Sequence, residues 1–411
     1  MALEPALAID PQTRRVRLRP GDPAFFTNPY PAYRALQERC PVFFWEEYGH
    51  WCFSRFADVN ALLRDRRFGR EILHVASRQE LGWPAPEAHL AAFDAVEANS
   101  LLEREPPVHT RLRKLVNRAF VSREVERLRP RITSLAHTLI DGLEAERSVG
   151  LLERFATPIP VTIIAELLGV PVAMAPELLA WSHAMVAMYQ HHRSRAVEEA
   201  AVRATGAFVD FVRAHIEARR RRPGDALIDR LIEAEDEGHK LSGDELVSTC
   251  ILLLNAGHEA TVHAIGNSVH AILASGVDRA SALADLPALV EELLRYDAPL
   301  HMFTRYALQD LEFAGVGLRK GDKVGLLLGA ANRDPSRFTD PDRVDPARAD
   351  QGYVSFGAGI HFCVGAPLAR LELEVALHVL FQRLPGLQLA APARFKDSWH
   401  FHGLERLEVG W

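Results

Sequence analysis

From Ser242 to about Ser275 apolar residues recur at helical spacing with no proline among them, and this run constrains the fold more than any other feature. Ser242 is an N-cap candidate, and Glu245 three residues on completes a capping box. At 1.5 Å rise per residue such a helix is on the order of 50 Å long, enough to cross a whole domain, so other elements must be laid against it. Asn255 and Gly257 interrupt its middle, where a glycine costs about 1 kcal/mol relative to alanine. Two explanations stay open for Gly257: close packing against a neighbour, or a widened turn over a bound group.

Helical periodicity also marks Pro31 to Glu38, Phe56 to Arg64, His109 to Ala119, Arg123 to Ala145, Val161 to Leu168, Ala175 to Tyr189, Arg195 to Arg219 and Ala226 to Glu235. Strand-like pieces are fewer: Val42 to Phe44, Trp51 to Ser54, Thr304 to Ala307, Lys323 to Leu328 and a short pair near the carboxyl end. The expected fold class is mostly α with a small β region. The 411 residues contain no linker, repeat or low-complexity run, so residues 1–411 read as a single domain, with 1–20 a loosely ordered N-terminal segment.

A net charge of -6 with both signs interspersed argues against nucleic acid as a partner. The start lacks a secretory h-region, and apolar runs such as Cys250 to Leu254 fall short of the roughly 20 residues of a membrane span. No membrane anchor is expected. Four scattered cysteines in a chain of this length fit a reducing, cytoplasmic location without a disulfide framework.

One of those cysteines stands apart. Cys363 lies in the run Phe356-Gly-Ala-Gly-Ile-His-Phe-Cys-Val-Gly365, whose glycines let the backbone approach a bulky planar group. Pro367 then opens a helical pattern, and the positive end of that helix favours an ionised sulfur. Zinc would need three more ligands nearby, and none are spaced for it. A thiolate held in this way suits a haem iron.

Phe356, Gly359, His361, Cys363 and Gly365 meet every fixed position of the Phe-x-x-Gly-x-His/Arg-x-Cys-x-Gly signature, so the chain resembles the cytochrome P450 family, of the soluble bacterial type. The resemblance implies one helical domain with the long helix over haem b, and Cys363 as the metal ligand. Ala256-Gly-His-Glu-Ala-Thr261 resembles the family's distal segment, in which an acid and an alcohol support protonation of dioxygen. Glu259 matches the acid, Ala260 replaces the alcohol, and Thr261 is turned about 100° away along the helix. Three readings of Ala260 stay open: a substrate hydroxyl takes the alcohol's place, the oxidation tolerates poor coupling, or the change is neutral.

His109 and Arg113, four apart on one helix face, resemble the family's propionate clamp; Arg305 and His361 match two further propionate positions, and Phe356 flanks the haem. Glu292 and Arg295 resemble its buried structural ion pair, and Asn332 to Arg348 resembles the meander before the cysteine, whose arginines would bond backbone carbonyls.

Helix spacing aligns Leu252, Ala256 and Ala260, with Asn255 beside them, while strand alternation sets His301 and Phe303 on the side of Arg305. Leu252, Asn255, Ala256, His301 and Phe303 are therefore the expected lining of a distal substrate cavity, and His191, His192 and Arg193 are set at its entrance. Asn255 has the alternative of bonding a helix carbonyl. The implied activity is a haem-thiolate monooxygenase that uses dioxygen to hydroxylate or epoxidise a medium-sized, hydrophobic, oxygen-bearing small molecule. Electrons would come from NAD(P)H through ferredoxin and ferredoxin reductase, docking near Arg111, Lys114 and Arg370. The alternatives are a peroxide-driven or coupling haem-thiolate oxidase and a non-catalytic haem ligand sensor.

Overall fold

A computed structural model describes residues 5–119, 122–190, 193–236, 238–348 and 352–411. The chain forms two compact units, each drawn from separate stretches of sequence. The first takes residues 1–69, 129–159 and 260–411, and the second takes 70–128 and 160–259.

A seven-stranded mixed sheet organises the first unit. Its spatial order is Ala8–Asp10, Arg15–Arg17, Val42–Trp45, His50–Phe53, Lys323–Leu327, Met302–Ala307 and Phe68–Gly69. Two neighbours run parallel, Arg15–Arg17 with Val42–Trp45 and Lys323–Leu327 with His50–Phe53. Residues 8–17 are thus an ordered hairpin, Ile9 opposite Val16, in place of the loose segment expected there. Val16 is fully buried with Phe25, Tyr33, Phe43 and Trp45, which explains why this end is held down. Helix Ala366–Arg383, which follows the cysteine loop, is buried over most of its circumference and packs against helix Arg129–Asp141. The single helix expected from Arg123 to Ala145 is split into Ser122–Glu126 and Arg129–Asp141: Pro130 is tolerated in the first turn of the second helix, whereas in a continuing helix it would lose the bond to the Glu126 carbonyl and clash with it.

Helices Val108–Ala119, Ala175–Val186, Arg195–Arg221 and Leu227–Glu233 belong to the second unit. The long helix runs over Gly243–Ala274, and the boundary between the units falls within it, after Glu259. Its capping box is formed as read from sequence: Glu245 N–H donates to Ser242 Oγ at 3.2 Å, and Ser242 N–H donates to a Glu245 carboxylate oxygen at 2.9 Å. The helix stays α-helical through Asn255 and Gly257. A Cβ at Gly257 would lie 2.7 Å from Ile164 Cγ1, so close packing, and not a widened turn, accounts for this glycine. Among the described residues no helix is long and apolar enough to cross a membrane.

Candidate functional site

The cysteine loop is closed by its own backbone. Cys363 N–H donates to the Phe356 carbonyl at 3.0 Å, and Gly357 N–H to that of Val354 at 2.8 Å. Gly359 holds φ +69°, and a Cβ there would collide with the Leu63 carbonyl, so both conformation and space demand glycine. Gly365 is the N-cap of helix Ala366–Arg383 and Pro367 sits in its first turn, which places Cys363 just before the positive helix end. Cys363 is exposed, whereas Cys40, Cys52 and Cys250 are buried. Burial pushes the Cys250 thiol up to about 12 and also raises Cys40 and Cys52, so these three are held as thiols. Next to the exposed sulfur, Phe362 leaves 39% of its surface open.

On strand Met302–Ala307, Arg305 is a buried guanidinium, 4% exposed, that donates to the Thr304 carbonyl at 2.8 Å. Phe303, two residues earlier on the same face, stands 3.2 Å from where a Gly357 side chain would begin. His361 ends the short 3₁₀ turn Gly359–His361. An exposed thiol at a helix end, an open apolar ring and a buried cation within one unit suit a planar apolar group with anionic substituents, and haem is such a group.

His301 has gone elsewhere. It precedes the strand, is wholly buried, and its Nδ1 lies 2.7 Å from Tyr33 Oη, which also accepts from Trp399 Nε1 at 2.6 Å. His402 stands 4.6 Å from it, ring centre to ring centre. Desolvation holds the His301 imidazole well below its ordinary range. Bonded to Tyr33 and packed against the Tyr33 and His402 rings, His301 is corrected from the expected substrate lining to a place in a buried aromatic cluster.

Glu292 and Arg295 are buried at 4% and 1% exposure and meet through two bonds, of 2.7 and 2.8 Å. Arg295 also donates to the carbonyls of Asn332 and Pro341, and Arg348 donates to Glu292 and to the carbonyls of Asp340 and Arg343. This is the fastening of the 332–348 meander that its arginines suggested.

In the second unit, His109 is buried and Arg113 half-buried on helix Val108–Ala119. Leu252 and Asn255 are half-buried and Ala256 exposed, an accessible stripe on an otherwise buried stretch of the long helix. Ala260 continues that stripe along the helix, while Thr261 is only 5% exposed. Asn255 does not bond a helix carbonyl. Its Nδ2 reaches Met185 Sδ at 3.7 Å, and its buried Oδ1 has no partner among the described residues. Glu259 is 8% exposed and pairs with His183, Nε2 to Oε2, at 3.1 Å. That partner was not legible in the sequence, since His183 sits on helix Ala175–Val186 and neither periodicity nor motif links the two. Arg193 pairs with Glu198 at 2.9 Å, and His191 and His192 lie outside the described residues.

Of the three cations expected to meet a redox protein, Arg111 is bound to Glu245, and Arg370 to Glu291 and the Tyr353 hydroxyl. Lys114 is exposed.

A mostly helical fold that offers a thiolate-forming cysteine at a glycine-framed helix start defines the haem-thiolate class. The cytochrome P450 family profile matches residues 71–275 and 277–386. Cytochrome P450 107B1 of Saccharopolyspora erythraea is 40% identical over 371 residues, covering 87% of this chain and 88% of that one. Vitamin D(3) 25-hydroxylase of Pseudonocardia autotrophica is 39% identical over 396 residues, 94% of either chain. Among solved structures, P450BioI in complex with a hexadec-9Z-enoic acid ligated acyl carrier protein matches with a TM-score of 0.88 at 33% identity, covering 95% of this chain and 99% of the other. The chain belongs to the cytochrome P450 family, and with it come the haem cofactor and monooxygenase activity.

Proposed function

We propose that this P450 hydroxylates or epoxidises a medium-sized hydrophobic molecule that carries a hydroxyl group, with Cys363 as the haem ligand. When bound, the haem supplies the iron at which dioxygen is reduced and split, one oxygen going to substrate and the other to water. In this reading His109, Arg113, Arg305 and His361 take the propionates. Phe356 flanks the ring, and Glu292 and Arg295 hold the meander without touching chemistry. Leu252 and Ala256 offer apolar surface to substrate, as does Phe303.

The observation that carries the substrate class is the buried Asn255 Oδ1, which has no partner among the described residues. A buried acceptor left unmade costs about 1–3 kcal/mol, and a substrate O–H would satisfy it. The same hydroxyl would serve where Ala260 lacks one. A vitamin D3 25-hydroxylase among the relatives supports a substrate of this size and polarity. Electrons come, in this proposal, from ferredoxin and its reductase. Arg111, Lys114 and Arg370 are the positions at which charge reversal is expected to slow reduction at low salt, and Lys114 is the exposed one.

The test is a titration of the ferric protein with matched hydroxylated and deoxy ligands, following the low-spin to high-spin Soret shift. Tighter shifts for the hydroxylated member, with the preference lost in Asn255→Leu, are expected. Equal binding of both members in the wild type would end the hydroxyl assignment.

A further inference from the structure

Glu259 sits almost wholly buried on the long helix, and the basic side chain facing it at hydrogen-bond distance is a histidine. His183 Nε2 is 3.1 Å from Glu259 Oε2, while 54% of the His183 side chain remains open to solvent. A second imidazole, His258, stands beside them, but its Nδ1 is committed to the Leu254 carbonyl at 2.7 Å. A carbonyl only accepts, so Nδ1 carries the hydrogen, and the other ring nitrogen lies 3.8 Å from Glu259, beyond a hydrogen bond. The close partner of the acid is therefore the exposed imidazole and not the buried one. Among the described residues, the titratable groups shown against the His183 ring are Glu259 and His258, both on the long helix. Helix Arg195–Arg221 meets helix Ala175–Val186 through Phe208 and Phe211 against Trp181, an aromatic contact.

The identity of this partner matters. Lysine or arginine opposite a carboxylate keeps its proton at neutral pH, whereas imidazole is the side chain whose ordinary titration range lies there. We propose that His183 is the entry point for protons to Glu259, collecting them from water and passing them to the buried carboxylate; this rests on the monooxygenase reading above. In the step, the His183 Nε2–H bond breaks and a Glu259 Oε2–H bond forms. No electrons change hands. The neutral ring keeps its hydrogen on Nδ1 and turns over at the surface, so that the bare Nε2 regains a proton from water before swinging back, and Glu259 hands its own onward to the oxygen chemistry. His183 acts through Glu259 and touches no substrate. With Ala260 in place of an alcohol, the hydroxyl that would share this task is missing from the helix, which leaves the acid and its supplier to carry it.

Two variants separate proton supply from charge pairing. His183→Lys keeps a cation opposite Glu259 but holds its proton, and His183→Gln keeps polarity without a titrating group. Both should retain the red-shifted Soret band of the ferrous carbonyl and the ligand-induced spin shift. Both should form product about a hundredfold more slowly or worse, the scale on which positioned acids act, with a larger solvent isotope effect and a flattened pH profile. The second readout needs no turnover. In the diamagnetic ferrous carbonyl protein, the His183 ring resonances followed by NMR should move in Glu259→Gln relative to wild type, as a ring in hydrogen-bond contact with that side chain must. Wild-type turnover with an unchanged pH profile in His183→Lys would reduce the histidine to a structural cation and overturn the proposal. So would His183 ring resonances indifferent to Glu259→Gln. A wild-type carbonyl complex without the red-shifted band would instead remove the haem-thiolate reading itself.

Discussion

Gly359 shows how narrow the tolerance of the cysteine loop is. Its φ of +69° disfavours any L side chain, and a methyl group there would strike the Leu63 carbonyl, a backbone atom that cannot swing aside. Gly359→Ala should therefore shift the Gly359–His361 turn and with it Cys363, whose N–H is tied to Phe356. The expected outcome is protein that folds but loads little haem, read as a fall in the Soret-to-protein absorbance ratio. Gly357→Ala, also at positive φ but facing the edge of the Phe303 ring, should be milder. At this scale the sequence was explicit: glycine spacing around one cysteine pointed to the loop. It was silent on His301. Strand alternation counts residues only within a strand, and the strand begins at Met302, so the face of the preceding residue was set by Tyr33, a contact 268 positions away in sequence.

The meander and the long helix carry the argument at the scale of elements. Glu292 accepts from Arg295, from Arg348 and from the Asp345 backbone, and Glu292 and Arg295 are themselves buried. Removing one member of such a buried ionic cluster leaves uncompensated charge, so Glu292→Ala should lose about 3–5 kcal/mol of stability, measured as a drop in urea midpoint. Conservative Glu292→Gln should lose less, because the amide oxygen still accepts while the charge is gone. On the long helix, Gly257→Ala forces Ile164 to move, at a cost of about 1–3 kcal/mol. Pairing it with Ile164→Ala should cost less than the two changes summed, because the second makes the space the first needs. Helix type and extent were legible in the periodicity for Phe56–Arg64 and for the capped start at Ser242, since both signals are local. The split before Pro130 was equally local and was overlooked, because apolar periodicity continues across it. The hairpin of residues 8–17 was not legible, since three-residue strands gain their stability from burial against distant side chains such as Phe43 and Trp45.

Across the whole molecule, buried ionisable groups away from the cysteine loop set how stability responds to pH. His301 and His402 are each at most 1% exposed, and desolvation lowers both. The unfolded chain takes up protons on these rings near its ordinary value of about 6.5 while the folded protein does not, so stability falls as pH drops below that value. The slope is about 1.4 kcal/mol per pH unit for each ring until its folded titration is reached. Glu372 acts in the opposite sense. It is fully buried, neither carboxylate oxygen has a partner among the described residues, and burial raises it well above 4.5. Once pH exceeds that ordinary value the unfolded chain sheds this proton and the folded protein retains it, so stability declines as pH rises toward the folded titration. Other groups titrate in the same range, Glu97 near 7 among them, so single variants are needed to isolate each contribution. Glu372→Gln keeps the shape and cannot ionise. Its urea midpoint relative to wild type should rise steadily from pH 5 to pH 8, by about one proton's slope, while His402→Phe should gain on wild type in the other direction, from pH 6.5 down to pH 5. A pH-independent offset for Glu372→Gln would mean that the carboxyl reaches water in solution and titrates near its ordinary value.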